Sequence, residues 1–156
     1  MPVDQKKAHE VWVRYQFLRD NGHLNYITKA NQCEDFFLGM QWSQSDKALL
    51  KAQRRPALTI NKILATMSNV LGEQIFNRTD TAFKPRNEDA TVDVASALTK
   101  VFMQISDNNQ LPWVRSDVFF DGIVTGRGFF DVRLDFTDSL VGEVRVEQLN
   151  PKNVLI

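Results

Sequence analysis

A repeating apolar stripe in residues 54–78 is the feature that most constrains how this chain can fold. In the segment RRPALTINKILATMSNVLGEQIFNR, apolar residues recur at steps of three and four: Ile60, Ile63, Leu64, Met67, Leu71 and Ile75. Residues with that spacing share one face of a helix. Pro56 suits a first helical turn, because an N–H there would have no intrahelical partner. We therefore predict one long helix that begins at Pro56 and has its neighbouring helices packed on the stripe.

Three further helices are predicted before this one. Apolar residues at helical spacing indicate a first helix over residues 4–20, with Gly22 as part of its stop signal. A second helix is predicted over residues 26–38, because Gly39 is placed to end it. The sequence Ser-x-x-Asp at residues 43–46 is typical of a capping box, and it predicts the start of a third helix.

The rest of the chain changes from helical to strand periodicity. Glu88 and Asp89 are expected to open a helix, since acidic residues favour a helix N-terminus. Pro112 begins the most apolar predicted helix, and the Gly-x-Gly at residues 126–128 predicts a tight turn into a strand. Alternating apolar and charged residues over 130–147 then indicate an antiparallel hairpin. The prediction is an α+β fold: mainly a helical bundle of about five helices, followed by a C-terminal antiparallel β-hairpin.

One segment between these elements is ambiguous. Residues 81–86 have extended character, but Pro85 lacks the N–H that a central strand needs. We expect an edge strand or a loop there.

Composition and charge exclude several classes of function. The chain has 19 basic and 19 acidic residues and no net charge, so strong autonomous DNA binding is not expected. Cys33 is the only cysteine, which is typical of a reducing cytoplasm. The N-terminus lacks the apolar run of a signal peptide. No stretch is long and apolar enough to span a membrane.

Candidate catalytic and metal sites are weak. His23, Cys33, Glu34 and Asp35 have ligand chemistry, but their spacing matches no established zinc site, and we expect a buried helical thiol instead. Carboxylates on the hairpin alternate with arginines, which favours cross-strand ion pairs over paired catalytic acids. The sequence therefore predicts no enzyme activity, no metal and no cofactor.

A series of short patterns resembles a known family. The patterns are QW at residues 41–42, RRP at 54–56, LTINKI at 58–63, QIFNR at 74–78 and FKPR at 83–86. In this order they resemble the portal, or head-to-tail connector, proteins of short-tailed bacteriophages. A second block of similarity comprises the apolar helix, the Gly-Arg-Gly turn and the strand after it. The resemblance is strongest over residues 41–156.

The resemblance implies a structural role without an active site. It implies a homo-oligomeric ring of twelve copies at a capsid vertex, through which double-stranded DNA passes during packaging and ejection without tight specific binding. Partners would be the capsid and scaffolding proteins, the terminase and the head-completion and tail proteins, with no membrane. Location in the virion and assembly in the host bacterial cytoplasm are also implied.

The resemblance also implies a domain organisation. Residues 1–156 would form a single N-terminal wing region, truncated at its C-terminus. Within it we expect a helical arm over residues 1–55, core helices over 56–128, and over 129–156 the hairpin with the start of a further strand. The alternatives left open by the residues alone are a small helical DNA-binding or adaptor module, and an enzyme with an unrecognised site.

Ring assembly would require two complementary faces on each subunit. The basic candidates are Lys47, Lys51, Arg54 and Arg55, a cluster that otherwise represents a solvated face or contacts phosphates. The acidic candidates are Asp131, Asp135, Glu143 and Glu147, and the apolar candidates are Phe36 and Trp42. We expect the apolar pair to supply attraction and the charges to set register.

Overall fold

The structure, a computed structural model, describes residues 4–86, 91–137 and 140–156. The helices are α1 (Gln5–Leu18), α2 (Leu24–Phe37), α3 (Gln44–Ala52), α4 (Lys62–Phe76), α5 (Val92–Asn108) and α6 (Leu111–Thr125). The strands are β1 (Phe129–Asp135) and β2 (Glu143–Leu149), and a short 3-10 turn follows at Pro151–Asn153. The predicted α+β class, helices followed by an antiparallel hairpin, is confirmed.

The chain divides into two compact units. Unit 1 comprises Met1–Ser68, Asp121–Arg127 and Asn150–Ile156. Unit 2 comprises Asn69–Phe120 and Gly128–Leu149.

Helix starts and stops in unit 1 follow the local signals in the sequence. Asp4 caps α1, since its carboxylate accepts hydrogen bonds from the main-chain N–H groups of Lys6 and Lys7. Gly22 has a φ of 142° in the kink between α1 and α2. Ser43 caps α3 by accepting from the Asp46 N–H at 3.1 Å. The predicted boundaries of these helices are therefore confirmed to within about two residues.

The predicted start of the long helix is wrong. Helix α4 begins at Lys62, and residues 56–61 are neither helix nor strand. The side-chain oxygen of Asn61 accepts from the Leu64 N–H at 3.1 Å, which caps α4, while its Nδ2 donates to the Phe37 carbonyl at 2.7 Å. Asn61 thus fixes the start of α4 close to the end of α2. Ile60 consequently lies outside the helix and is 81% exposed.

The stripe on α4 is covered less completely than predicted. Met67 and Leu71 are half-buried, while Ile63 and Leu64 are more exposed. None of the α4 residues is fully buried. The predicted packing of neighbouring helices on this stripe is therefore only partly observed within the described part of the chain.

In unit 2, a side-chain hydroxyl group caps the start of α5. The Thr91 Oγ1 accepts from the Val94 N–H at 3.4 Å at the start of α5. The acidic opening predicted at Glu88 and Asp89 lies outside the described residues. Upstream, the Phe83 N–H donates to the Thr99 hydroxyl at 3.0 Å, so residues 81–86 form a loop held on α5.

The hairpin pairs β1 and β2 in antiparallel register. Val132 lies opposite Val146, and Arg133 lies opposite Arg145. Gly128 in the turn before β1 approaches α6 so closely that an added Cβ would overlap the Val118 carbonyl oxygen. The Gly-x-Gly is therefore a helix-to-strand turn, as the sequence predicts.

We predict that Gly128→Ala lowers the free energy of unfolding by about 1–3 kcal/mol, because the new methyl group meets backbone atoms that have little room to move. Gly122→Ala is the matched control. A Cβ at Gly122 would meet nothing within 4 Å, so alanine should stabilise α6 by about 0.5–1 kcal/mol. Chemical denaturation of both variants measures this difference. Equal stabilities for the two variants would contradict the close approach at Gly128.

Candidate subunit-interface residues

The four predicted basic residues lie together in unit 1. Lys47 and Lys51 are one helical turn apart on α3, and Arg54 and Arg55 follow in the turn that ends this helix. The Arg54 N–H binds the Lys51 carbonyl at 3.0 Å, and Arg54 has a φ of 58°. All four are exposed, and none forms an ion pair with a described residue. Their positive charge therefore faces solvent without a described counter-ion.

The two apolar candidates differ in exposure. Trp42 is 37% exposed, and its Nε1 donates to the Leu58 carbonyl at 3.2 Å. Phe36 is half-buried in α2. Nearby in sequence, Leu38 and Met40 are also exposed, at 66% and 49%. The apolar region around residues 36–42 is therefore accessible mainly through Leu38, Met40 and Trp42.

The four predicted acidic residues share one face of the hairpin in unit 2. Arg133 forms ion pairs with Asp131 and, at 2.8 Å, with Glu147. Arg145 lies 3.9 Å from the Asp135 carboxylate and 3.8 Å from that of Glu143. The cross-strand ion pairs favoured by the sequence are therefore present. Four carboxylates exceed two guanidinium groups on this face, so a negative excess remains.

Two of these charged groups have altered acidity. The hydroxyl and the N–H of Thr137 both donate to Asp135, at 2.6 and 3.0 Å, and they lower the pKa of this carboxyl group. Hydrogen bonds from Arg133 to Glu147 and Asp131 raise the pKa of the Arg133 guanidinium. Both shifts favour the ionised forms. Asp135 therefore stays ionised to a lower pH than an aspartate without these hydrogen bonds.

Sequence analysis did not single out Asn109, which joins α5 to the hairpin. Its Nδ2 donates to the Val144 carbonyl at 2.8 Å, and its Oδ1 accepts from the Val146 N–H at 2.9 Å. The side-chain amide thus pairs with the edge of β2 as a third strand would. In the sequence Asn109 belongs to the polar run at residues 107–110, which does not specify a distant partner.

The residues considered as metal ligands have other contacts. His23 Nε2 lies 2.9 Å from the Lys152 carbonyl oxygen, and the Lys152 ammonium lies 2.6 Å from the Glu34 carboxylate. These contacts hold the segment after β2 against α2 within unit 1. The expectation of a buried Cys33 is wrong, since this thiol is exposed on α2. No group of three or more potential ligands is arranged for a metal among the described residues.

A second group in unit 1 surrounds Tyr26. The Arg127 guanidinium stacks over the Tyr26 ring at 4.1 Å, and the Tyr26 hydroxyl donates to Thr125 at 3.0 Å. Thr125 in turn donates to the Asp121 carbonyl at 2.8 Å. These contacts attach the end of α6 to α2. They are structural contacts between groups of the same unit.

One surface cavity was considered as a candidate catalytic site. One cavity in unit 2, of about 380 Å³, is lined by Arg78, Asp80, Asp107 and Arg115 among other residues. Its hydroxyl groups have no histidine beside them in the lining, so no nucleophile–base pair is formed there. No helix in the described ranges is long and apolar enough to cross a membrane.

The described charged surfaces are an exposed basic cluster in unit 1 and a hairpin face with a negative excess in unit 2. A model of the phage P22-like portal protein family matches residues 19–154, and the chain belongs to that family. Membership assigns it a structural role as a portal component of the virion, in a ring associated with capsid components. A search among curated proteins found no match.

We predict that Asn109→Asp lowers the free energy of unfolding by about 1–3 kcal/mol, because a carboxylate cannot donate to the Val144 carbonyl. Asn108→Asp is the control. The Asn108 side chain only accepts from Gln104, a role that aspartate can keep, and the added charge at the end of α5 is the same. Equal losses in thermal unfolding of the two variants would contradict the bridging role of Asn109.

We also predict that Thr137→Val raises the pKa of Asp135 towards its ordinary value, because the hydroxyl donor is lost. Since the folded pKa of Asp135 is depressed, its stabilising contribution is present at neutral pH and is lost as pH falls through that pKa. NMR titration of the Asp135 carboxyl carbon measures the shift. Thr137→Ser retains the hydroxyl donor and should leave the pKa of Asp135 low. If the pKa of Asp135 rose in this variant as well, the hydroxyl hydrogen bond could not be its cause.

Proposed function

We propose that this chain is a structural subunit of a bacteriophage portal ring at the capsid vertex, where it forms part of the channel assembly for DNA packaging and ejection. The family match over residues 19–154 carries this proposal. It covers segments of both compact units, so the proposal does not depend on one short motif. Twelve copies per ring is the stoichiometry we propose.

The charged surfaces support assembly through two different faces. A closed ring repeats one heterologous interface, in which one face of each subunit meets another face of its neighbour. Lys47, Lys51, Arg54 and Arg55 supply an exposed positive cluster without described counter-ions. The hairpin face with Asp131, Asp135, Glu143 and Glu147 supplies a negative excess. We propose that these surfaces face each other across the subunit interface and set its register.

Apolar contacts would supply most of the attraction. Trp42 is partly exposed, and Leu38 and Met40 beside it are exposed further. Aromatic and apolar side chains of this kind are typical of the centres of protein interfaces. We propose that Trp42 belongs to the subunit contact, together with the half-buried Phe36, which precedes it in the sequence.

The proposed partners and location follow from the portal role. The ring would contact the capsid and scaffolding proteins, the terminase and the head-completion and tail proteins. It would assemble in the host bacterial cytoplasm and remain in the virion. Double-stranded DNA would pass through it without tight specific binding, for which the zero net charge gives a physical reason. We propose no catalytic role.

We predict that Arg54→Glu with Arg55→Glu impairs ring formation in the full-length protein, because it replaces attraction across the interface by repulsion between like charges. Lys6→Glu with Lys7→Glu is the control. It makes the same change of net charge at exposed residues in the first turn of α1, away from the proposed surfaces in sequence. Light scattering over a range of salt concentrations measures the particle size of both double variants.

The two variants separate the possible explanations. Loss of rings only with the Arg54 and Arg55 changes would support the basic face. Normal rings with normal salt resistance in that variant would contradict it. Salt-sensitive binding of duplex DNA by the unaltered protein, without rings, would instead favour the DNA-binding alternative.

A further inference from the structure

The hairpin has one occupied edge and one open edge. Asn109 binds the Val144 carbonyl and the Val146 N–H, so the main-chain groups of these two residues point away from β1. In an antiparallel pair, residues opposite such positions also direct their main-chain groups outward. Val132 and Leu134 lie opposite Val146 and Val144. Their N–H and C=O groups therefore form the outer edge of β1.

This outer edge is unprotected among the described residues. The outward-facing main-chain N–H and C=O groups of Val132 and Leu134 have no hydrogen-bond partner among these residues. Val132 and Leu134 are 66% and 61% exposed. Strand β1 contains no proline, and its charged residues Asp131, Arg133 and Asp135 alternate with Val132 and Leu134 and so lie on the other face of the strand. A two-stranded sheet is only marginally stable by itself, and a third strand would complete it. An edge of this kind is suited to the addition of a strand.

A matching segment exists in residues 56–61, which we call the linker. Leu58 and Ile60 are 76% and 81% exposed there. The Leu58 carbonyl accepts from Trp42 Nε1, which fixes one side of the linker. The Ile60 carbonyl is also occupied, since it accepts from the Lys62 N–H at 3.0 Å, which leaves the main-chain groups of Ala57 and Thr59. Neither has a hydrogen-bond partner in the described part of the chain.

Charge complementarity indicates which molecule supplies the added strand. The linker directly follows the exposed basic cluster that ends with Arg54 and Arg55. The strand that it would join carries Asp131 and Asp135 on the face with the negative excess. A linker from a neighbouring copy would therefore bring the basic cluster to the acidic face while its backbone pairs with β1.

We propose that the linker of one copy pairs with the outer edge of β1 in the next copy, which makes a three-stranded sheet across each subunit interface. The occupant of the edge is thus a second copy of this chain. The inference rests on the proposed ring and specifies the contact that closes it. It joins two different surfaces, as a heterologous interface requires.

Cross-linking tests this contact in the full-length protein. Cys33→Ser removes the only cysteine of these 156 residues, and any cysteine elsewhere in the full-length protein is changed to serine as well. Two differently tagged chains, one with Thr59→Cys and one with Leu134→Cys, are co-expressed and treated with a short bismaleimide. We expect a cross-linked heterodimer, which must join two chains because each has a single thiol. Lys7→Cys in place of Thr59→Cys is the control and should give no such product.

A proline substitution tests the hydrogen bonding. Val132→Pro removes an outward N–H, a change that an edge strand tolerates, so the hairpin should fold while strand addition is blocked. Val132→Thr keeps the N–H and a similar shape. We expect rings to be lost in the proline variant at concentrations where the threonine variant still forms them. Circular dichroism checks that both variants remain folded.

The outcomes distinguish this inference from the proposed function. Rings without the cross-link, and with normal assembly of Val132→Pro, would overturn the strand pairing and leave the portal role intact. If the proline variant unfolds, the cross-link decides, and rings of the unaltered β1 that give no cross-link would also overturn the strand pairing. Absence of rings in the unaltered protein would overturn both proposals.

Discussion

The arrangement of unit 1 depends on the side-chain amide of Asn61. One end of this amide caps α4, and the other binds the Phe37 carbonyl at the end of α2. Because a single planar group makes both hydrogen bonds, the start of α4 is fixed relative to the end of α2. Gly39 lies beside this amide, because a Cβ added to Gly39 would be 3.4 Å from the amide nitrogen. Residues 56–61 are left outside the helix, and the main-chain groups of Ala57 and Thr59 have no hydrogen-bond partner among the described residues.

The hairpin in unit 2 depends on another side-chain amide, that of Asn109. Asn109 terminates α5 and uses its side-chain amide to occupy the free edge of β2. The edge of β2 is thereby attached to α5, while Val132 and Leu134 of β1 are exposed. Arg133 and Arg145 order the charged face without neutralising it. Exposed apolar surfaces are typical of sites that bind other proteins.

Features of the fold that depend on residues close in sequence could be predicted. Features that depend on contacts between residues far apart in sequence could not. The cap at Ser43 and the alternation in the hairpin depend on neighbours in sequence, and both were predicted correctly. The start of α4 was not, because the pattern does not reveal that Asn61 has a partner 24 residues away. Candidate charges such as Arg54 were identified by type, but their role in an interface depends on a second molecule that one sequence cannot specify.

The central claim is that this chain acts as a subunit of a closed portal ring. Electron cryomicroscopy of the purified full-length protein tests this most directly, because it shows symmetry and subunit placement together. The account predicts closed rings of one rotational symmetry around a central channel, in which each subunit contains the six helices and the hairpin described above. Particles that are single subunits, or open filaments without closure, at concentrations where the protein is folded would contradict it.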